Sequence, residues 1–166
     1  MPHHYLLDAD VFITAARNYY AFDLVPSFWD NLTRLADDHQ IASIDRIREQ
    51  LVAGNDRLAE WITQGNLSHS FLSTDDADVI AAYRDIVNWA LNNHQFMDAA
   101  KARFADNDPD GWLVAYAKAK DYIVTTNETL DPQVKKKIPI PNICRQFGVQ
   151  SVNTFDMLRA LAVRIG

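Results

Sequence analysis

The chain has 166 residues, 48% of them hydrophobic, a single cysteine and a net charge of −6. That length suits one domain over residues 1–166 with a core of its own, and the lone Cys144 excludes an internal disulfide and any Cys-based zinc module. The first eight residues lack the positive and apolar segments of a signal peptide and no later run approaches a membrane span, so a soluble cytoplasmic protein with no membrane partner is expected.

Tyr5 to Leu7 reads as a short buried strand running straight into a helix through Val11, Phe12, Ile13 and Ala16, the habit of an α/β chain. Pro26 opens a second helix with Phe28, Trp29, Leu32 and Leu35 on one face, and Ile41 to Ile44 is the next strand. Ile44, Ile47 and Leu51 then recur at helical spacing until Gly54, and Leu58, Trp61 and Ile62 make a short helix before Gly65. Phe71-Leu72 reads as a minor strand. From Thr74, taken as an N-cap, an apolar stripe runs from Val79 to Leu91, and a further helix covers Phe96 to Phe104. Asp106 to Asp110 turns into a helix carrying Leu113, Val114, Tyr116 and Ala117, with Asp108 as cap and Pro109 at the first helical position. Tyr122 to Val124 is a central strand. Ile138 to Ile143 is expected to be extended or turn-like because of Pro139 and Pro141, Val149 to Val152 is the last strand, and a helix from Thr154 to Val163 closes the chain.

Two of these strands end abruptly in polar side chains: Leu6-Leu7-Asp8-Ala9-Asp10 and Val124-Thr125-Thr126-Asn127-Glu128. Parallel sheets bind ligands at the carboxyl ends of their strands, so these residues, with Glu49 and the Asp108-Pro109-Asp110 turn, mark an acidic cup. Clustered hard oxygens suit Mg2+ or Mn2+, ions that activate water for attack on phosphate esters. Each acid has a plainer reading. Asp8 sits where a helix N-cap would, although Asp10 two residues later can cap and leave Asp8 free; Glu49 fits an exposed helix face, and Asp110 the favourable first turn of its helix. Turn chemistry alone accounts for Asn127. Charge is also uneven: residues 1–100 are net −9 and residues 101–166 net +3, and the run Lys135-Lys136-Lys137 fits either a phosphate-backbone contact or a solvated basic surface.

In this order the residues resemble the PIN domain family of metal-dependent ribonucleases, which includes the toxins of many toxin-antitoxin pairs. The matching motifs are Leu6-Leu7-Asp8-Ala9-Asp10-Val11-Phe12-Ile13, Glu49 on an early helix, Asp110-Gly111-Trp112-Leu113-Val114-Ala115-Tyr116-Ala117, and Val124-Thr125-Thr126-Asn127-Glu128. Pro139-Ile140-Pro141-Asn142-Ile143-Cys144 followed by Phe147-Gly148-Val149 looks like an uncharacterised branch of that family. The resemblance implies a three-layer α/β/α PIN-like fold around a central, mostly parallel sheet, and hydrolysis of RNA to 5′-phosphate and 3′-hydroxyl ends. It further implies Mg2+ or Mn2+ held by Asp8, Glu49 and Asp110, with Asn127 completing the catalytic set and Asp10, Thr125 and Glu128 as auxiliaries. Lys135, Lys136 and Lys137 would contact RNA, and an antitoxin protein or a second copy of the chain are the implied protein partners. The chain departs from the family pattern at two places: Asp10 stands where Asn, Ser or Thr is usual, and Asn127 where an Asp is usual.

Two other readings compete. Leu7-Asp8-Ala9-Asp10-Val11 also fits the opening of a haloacid dehalogenase-type phosphatase with Asp8 as nucleophile, but after Lys137 only Asp156 is acidic, so the later acidic pair of that chemistry is missing. A PIN-like scaffold that has lost activity and works through partners is favoured by Asn127 and disfavoured by the three retained acids.

Overall fold

Three consecutive apolar side chains with no polar alternation belong in a strand covered on both faces, and β1 (Tyr5–Leu7) is fully buried at the centre of the sheet. It pairs in parallel with β2 (Ile41–Ile44), Tyr5 opposite Ile41, and on its other side with β4 (Ile123–Thr125), Leu7 opposite Thr125. The short edge strands β3 (Phe71–Leu72) and β5 (Ser151–Val152) complete the parallel order β3-β2-β1-β4-β5. This computed structural model describes residues 3–165, so Met1, Pro2 and Gly166, the ends of the expected domain and the first residues of the expected leaderless start, lie outside the described residues.

Every crossover carries helices. After β1 come α1 (Ala9–Thr14), a π-helical turn (Ala15–Tyr19) and α2 (Pro26–Asp37); after β2, α3 (Asp45–Ala53) and α4 (Arg57–Thr63). Between β3 and β4 lie α5 (Ala77–Leu91), α6 (Asp98–Ala105) and α7 (Pro109–Lys120); α8 (Ile140–Phe147) leads to β5, and α9 (Thr154–Ala160) follows it. Parallel crossovers are right-handed, so connections running outward in opposite directions from β1 place their helices on opposite faces of the sheet. The result is the three-layer α/β/α fold that the resemblance implies. On one face Trp29 of α2 stacks on Phe22 at 4.0 Å and meets Trp61 of α4 edge-on at 5.0 Å. On the other, α7 packs between α5 and α8 against β4, with the Tyr83 and Trp112 rings parallel at 3.8 Å.

The structure corrects three local expectations. α5 is capped not by Thr74 but by Asp76, whose Oδ1 accepts from the backbone N–H groups of Asp78 and Val79, while Thr74 donates its hydroxyl to Asp45 at 3.0 Å. The segment expected to be extended around Pro139 and Pro141 is instead the entry to α8. There Pro139 is the N-cap and Pro141 lies in the first turn, where a missing N–H breaks no helical hydrogen bond. The π-helical turn has no apolar period to betray it, and it closes with the Tyr20 N–H donating to the Ala15 carbonyl at 2.7 Å.

Candidate active site

The chain leaves β1 toward β2 on one side and later returns to β4 on the other, so the carboxyl ends of β1 and β4 form the switch point where open α/β sheets bind ligands. Asp8 stands there, 3% exposed. Its Oδ1 accepts from the Ala9 N–H at 2.7 Å and caps α1, so Asp8, not Asp10, is the cap. Its Oδ2 accepts from the Thr126 hydroxyl at 3.0 Å, and its own N–H donates to the Thr125 carbonyl. Asp10 lies in the first turn of α1 and its carboxylate faces the Asn127 N–H at 3.3 Å.

α7 brings a second pair of acids to the same edge. Asp108 caps it as expected, accepting from the Asp110 N–H at 2.9 Å with Pro109 in the first turn, and Asp110 follows inside the helix. Gly111 lets this end of α7 approach its neighbours: a Cβ there would sit 3.0 Å from Phe104 Cζ and 3.2 Å from Tyr83 Cε1. The next residue, Trp112, is covered on one ring face by Tyr83, and the Arg46 guanidinium of α3 lies over the ring 4.1 Å from its centroid. The first turn of α7 is therefore held on three sides.

The acids repel one another and are poorly solvated. Burial raises the Asp8 carboxyl well above the usual carboxylate range, reinforced by the charges of Asp110, Asp10 and Glu128. Burial first, then Asp108, Glu128 and Asp10, push Asp110 up to about 8. Asp108 is raised by burial against the pull of the Asp110 N–H. Glu128 is raised by burial although the Ile140 N–H donates to its Oε2 at 2.8 Å and Lys137 lies close enough to oppose the shift. None of these five carboxylates is ion-paired among the described residues. Beneath them Cys144 is a buried thiol pushed up to about 12, chiefly by desolvation, so it stays protonated and unreactive, in keeping with a core cysteine.

Of the residues named from the sequence, Asp8, Asp10, Asp110 and Glu128 converge. Glu49 does not join them: it is exposed on α3, and the charges acting on Asp8 and Asp110 come from other acids. Asn127 is adjacent, but its Oδ1 accepts from the Thr154 hydroxyl at 2.8 Å and so ties the start of α9 to the end of β4. Thr125 points into the core and donates to Met157 Sδ at 3.4 Å. Lys135, Lys136 and Lys137 are exposed in the loop before α8, with Lys137 beside Glu128. Two members of the cluster, Thr126 and Asp108, were read from the sequence only as part of the strand-end motif and as a helix cap, with no catalytic or metal-holding role. For Thr126 the signal is register: pairing that sets Leu7 opposite Thr125 brings the next residues, Asp8 and Thr126, together.

Five carboxyls with no counter-cation form an all-oxygen, hard donor set, which fits Mg2+ or Mn2+ in chemistry. Among the described residues, no group of three His, Cys, Asp or Glu side chains is already arranged to hold an ion. No helix is long and apolar enough to cross a membrane among those residues.

No curated protein matches this sequence. The fold is similar to that of a chain in the crystal structure of VapBC2 from Rickettsia felis bound to a DNA fragment from their promoter, with a TM-score of 0.55, 15% identity, and 90% of this chain and 97% of that chain covered. It is also similar to a chain of FitAcB from Neisseria gonorrhoeae, with a TM-score of 0.56, 21% identity, and 91% and 98% covered. These likenesses bear out the PIN-like fold, and the expectation of an uncharacterised branch agrees with a match over residues 5–165: the chain belongs to the family described as "Domain of unknown function (DUF4411)".

Proposed function

We propose that this protein is an Mg2+- or Mn2+-dependent endoribonuclease, the toxin of a toxin-antitoxin pair, that hydrolyses RNA phosphodiester bonds in the cytoplasm. The observation that carries the reading is the group of unpaired carboxyls gathered at the switch point around the buried Asp8, where desolvation first and the neighbouring acids second raise Asp8 and Asp110, a cost that a divalent cation would relieve. Similarity to a chain of VapBC2, a protein bound to a DNA fragment from its promoter, supports pairing with an antitoxin of DNA-binding kind.

Asp8 and Asp110 would hold the ion, with Asp10 and Glu128 beside them; once bound, it neutralises charge and activates water for attack on phosphorus. Thr126 holds the second oxygen of Asp8 in place, and the cap bond to Ala9 fixes the first, so the carboxylate cannot rotate away. Until a cation is bound, burial and the neighbouring acids push Asp110 up to about 8, so taking up the ion would release its proton. Lys137, with Lys135 and Lys136 along the same loop, would meet the phosphates flanking the cut. Glu49, exposed and apart from the cluster, would act only from the rim. A PIN-like scaffold acting through partners is the second reading, favoured by the engagement of the Asn127 amide oxygen with Thr154.

The test is incubation of purified, partner-free protein with mixed RNA and Mn2+ or Mg2+, beside chelator and Asp8→Asn controls. Cutting that leaves 5′-phosphate ends and is lost in both controls supports the nuclease. Folded protein that binds the ion without cutting any RNA, or that binds no ion, favours the scaffold.

A further inference from the structure

A groove of about 500 Å3 opens beside the carboxyl cluster, lined by Thr126, Asn127 and Glu128 together with Tyr19, Asn153 and Phe155. Tyr19 is 58% exposed and Phe155 44%, unusual for large rings in a chain that buries most of its aromatics. They meet edge to face at 6.0 Å and 66°, so neither ring covers the other.

Both rings are held there by the backbone. Tyr19 ends the π-helical turn, an insertion that disturbs regular helix hydrogen bonding and recurs at functional sites. Behind it Tyr20 stacks on Phe28 at 4.3 Å and Phe28 meets Trp29, so the turn is anchored in the core. Phe155 sits in the first turn of α9, which Asn153 caps and which the Asn127–Thr154 hydrogen bond ties to the end of β4. The same loop that delivers Glu128 to the acids is thus tied to the helix that brings Phe155 into the lining of the groove.

We propose that this groove is a nucleobase subsite, in which an unpaired base of single-stranded RNA stacks on the Tyr19–Phe155 pair while its flanking phosphate lies over the carboxyl cluster. The inference rests on the nuclease reading. Three features favour RNA over a protein segment: Glu128 belongs both to the cluster and to the lining of the groove; exposed aromatic rings present the flat surfaces on which bases stack; and Lys137, in an exposed basic run, lies close enough to Glu128 to act on its charge, giving phosphates a basic neighbour. A duplex keeps its bases stacked inside and would offer the rings nothing, so the subsite selects single strands.

The test uses the full-length chain with Asp8→Asn to silence cleavage, in Mn2+, and follows fluorescence anisotropy of labelled oligoadenylate, the same backbone made abasic, and an oligoadenylate–oligouridylate duplex. Tyr19→Ala and Phe155→Ala, both at exposed positions and verified as folded by circular dichroism, should each weaken oligoadenylate binding by about fivefold to a hundredfold. Binding of the abasic strand should not change, Tyr19→Phe should retain the parent affinity, and the duplex should bind no better than the abasic strand. Equal affinity of parent and ring variants for oligoadenylate, or equal losses on the intact and abasic strands, overturns the subsite and leaves the rings to a protein contact. Cutting by the wild-type chain alongside that result spares the nuclease reading. Ring-dependent binding without cutting removes the nuclease and keeps the subsite, and a chain that neither cuts RNA nor binds oligoadenylate overturns both.

Discussion

Asp76 and Asp8 do the same local job, each capping a helix through its carboxylate, yet their chemistry runs in opposite directions. Asp76 lies at the surface, where a hydrogen bond from Lys120 at 2.9 Å and the cap bonds hold its carboxyl below the usual range. Asp8 keeps its cap bond but is buried among Asp110, Asp10 and Glu128 with no cation, and its carboxyl is raised. Capping accounts for where a carboxylate sits; the presence or absence of a partner cation decides what it is fit to do. A fold stabilised throughout would pair both, so the unpaired end is the one read as functional.

The largest effect separating the two ends should be on catalysis. Residues that merely orient metal ligands are worth about 10–100-fold in metal affinity or activity. Asp8→Asn and Asp110→Asn, which replace proposed ligands, should therefore cost about a hundredfold or more in RNA cleavage, whereas Asp76→Asn should leave the rate unchanged. Glu49→Gln should cost far less than either, and a loss equal to that of Asp8→Asn would bring α3 into the site and break the contrast drawn here.

Stability should move the other way. Between the ordinary carboxylate value of 3.8 and about 8, folded Asp110 holds a proton that its unfolded counterpart has released, and Asp8 acts in the same direction. Metal-free protein is thus stabilised most at acid pH by this cluster and loses that stabilisation as pH rises through about 8. Asp110→Asn should flatten the slope and at pH 8 raise the Tm of metal-free protein, by about 2–4 °C for each kcal/mol recovered. Mn2+ displaces the same protons, so its stabilising effect should grow from pH 5 to pH 8. Thermal unfolding across pH, with and without Mn2+, measures both; a flat metal-free profile would show that the acids do not strain the fold.

Gly111→Ala tests the wall behind Asp110. The added methyl meets Phe104 and Tyr83, both buried, and Tyr83 is already pressed on Trp112. Overpacking of this kind costs about 1–3 kcal/mol. Since the strain falls one residue from Asp110, cleavage should drop along with Tm, and a variant with wild-type Tm and activity would mean that α7 has room to shift.

How much of this was legible in the sequence follows from which forces act locally. The strands β1 and β2 and the cap Asp108 could be read because apolar runs and a carboxylate followed by proline are local signals. Asp8, Asp10, Asp110 and Glu128 could be named because each follows such a signal. Glu49 shows the limit: its place on a helix was readable, but whether that face meets the sheet edge depends on how α3 packs against α7, through Arg46 on Trp112, which no single-residue pattern encodes. The groove rings were out of reach for the same reason, since Tyr19 reaches the surface through a π-helical turn and Phe155 through a tie between two segments 27 residues apart. Pro139 and Pro141 misled because proline suits both an extended chain and a helix entrance, and tertiary packing chose the latter.

Asp76→Asn is the smallest of the expected changes and the most direct control. Asn caps helices nearly as well as Asp, so α5 should keep its first turn, and only the ion pair with Lys120 is lost. Both side chains are 34% exposed, so water and salt screen the pair, and the effect should shrink further as ionic strength rises. Its pH signature should also have the opposite sign: a depressed carboxyl gives stability that is present above 3.8 and is lost only as pH falls through the lower folded value. Measured against Asp110→Asn in the same buffers, the two slopes should therefore diverge, one variant losing a little stability at neutral pH and the other gaining it. If both variants shifted Tm in the same direction at pH 8, the distinction between a paired and an unpaired cap would fail, and with it the argument that the carboxyl edge of β1 and β4 is held under charge repulsion for a bound cation.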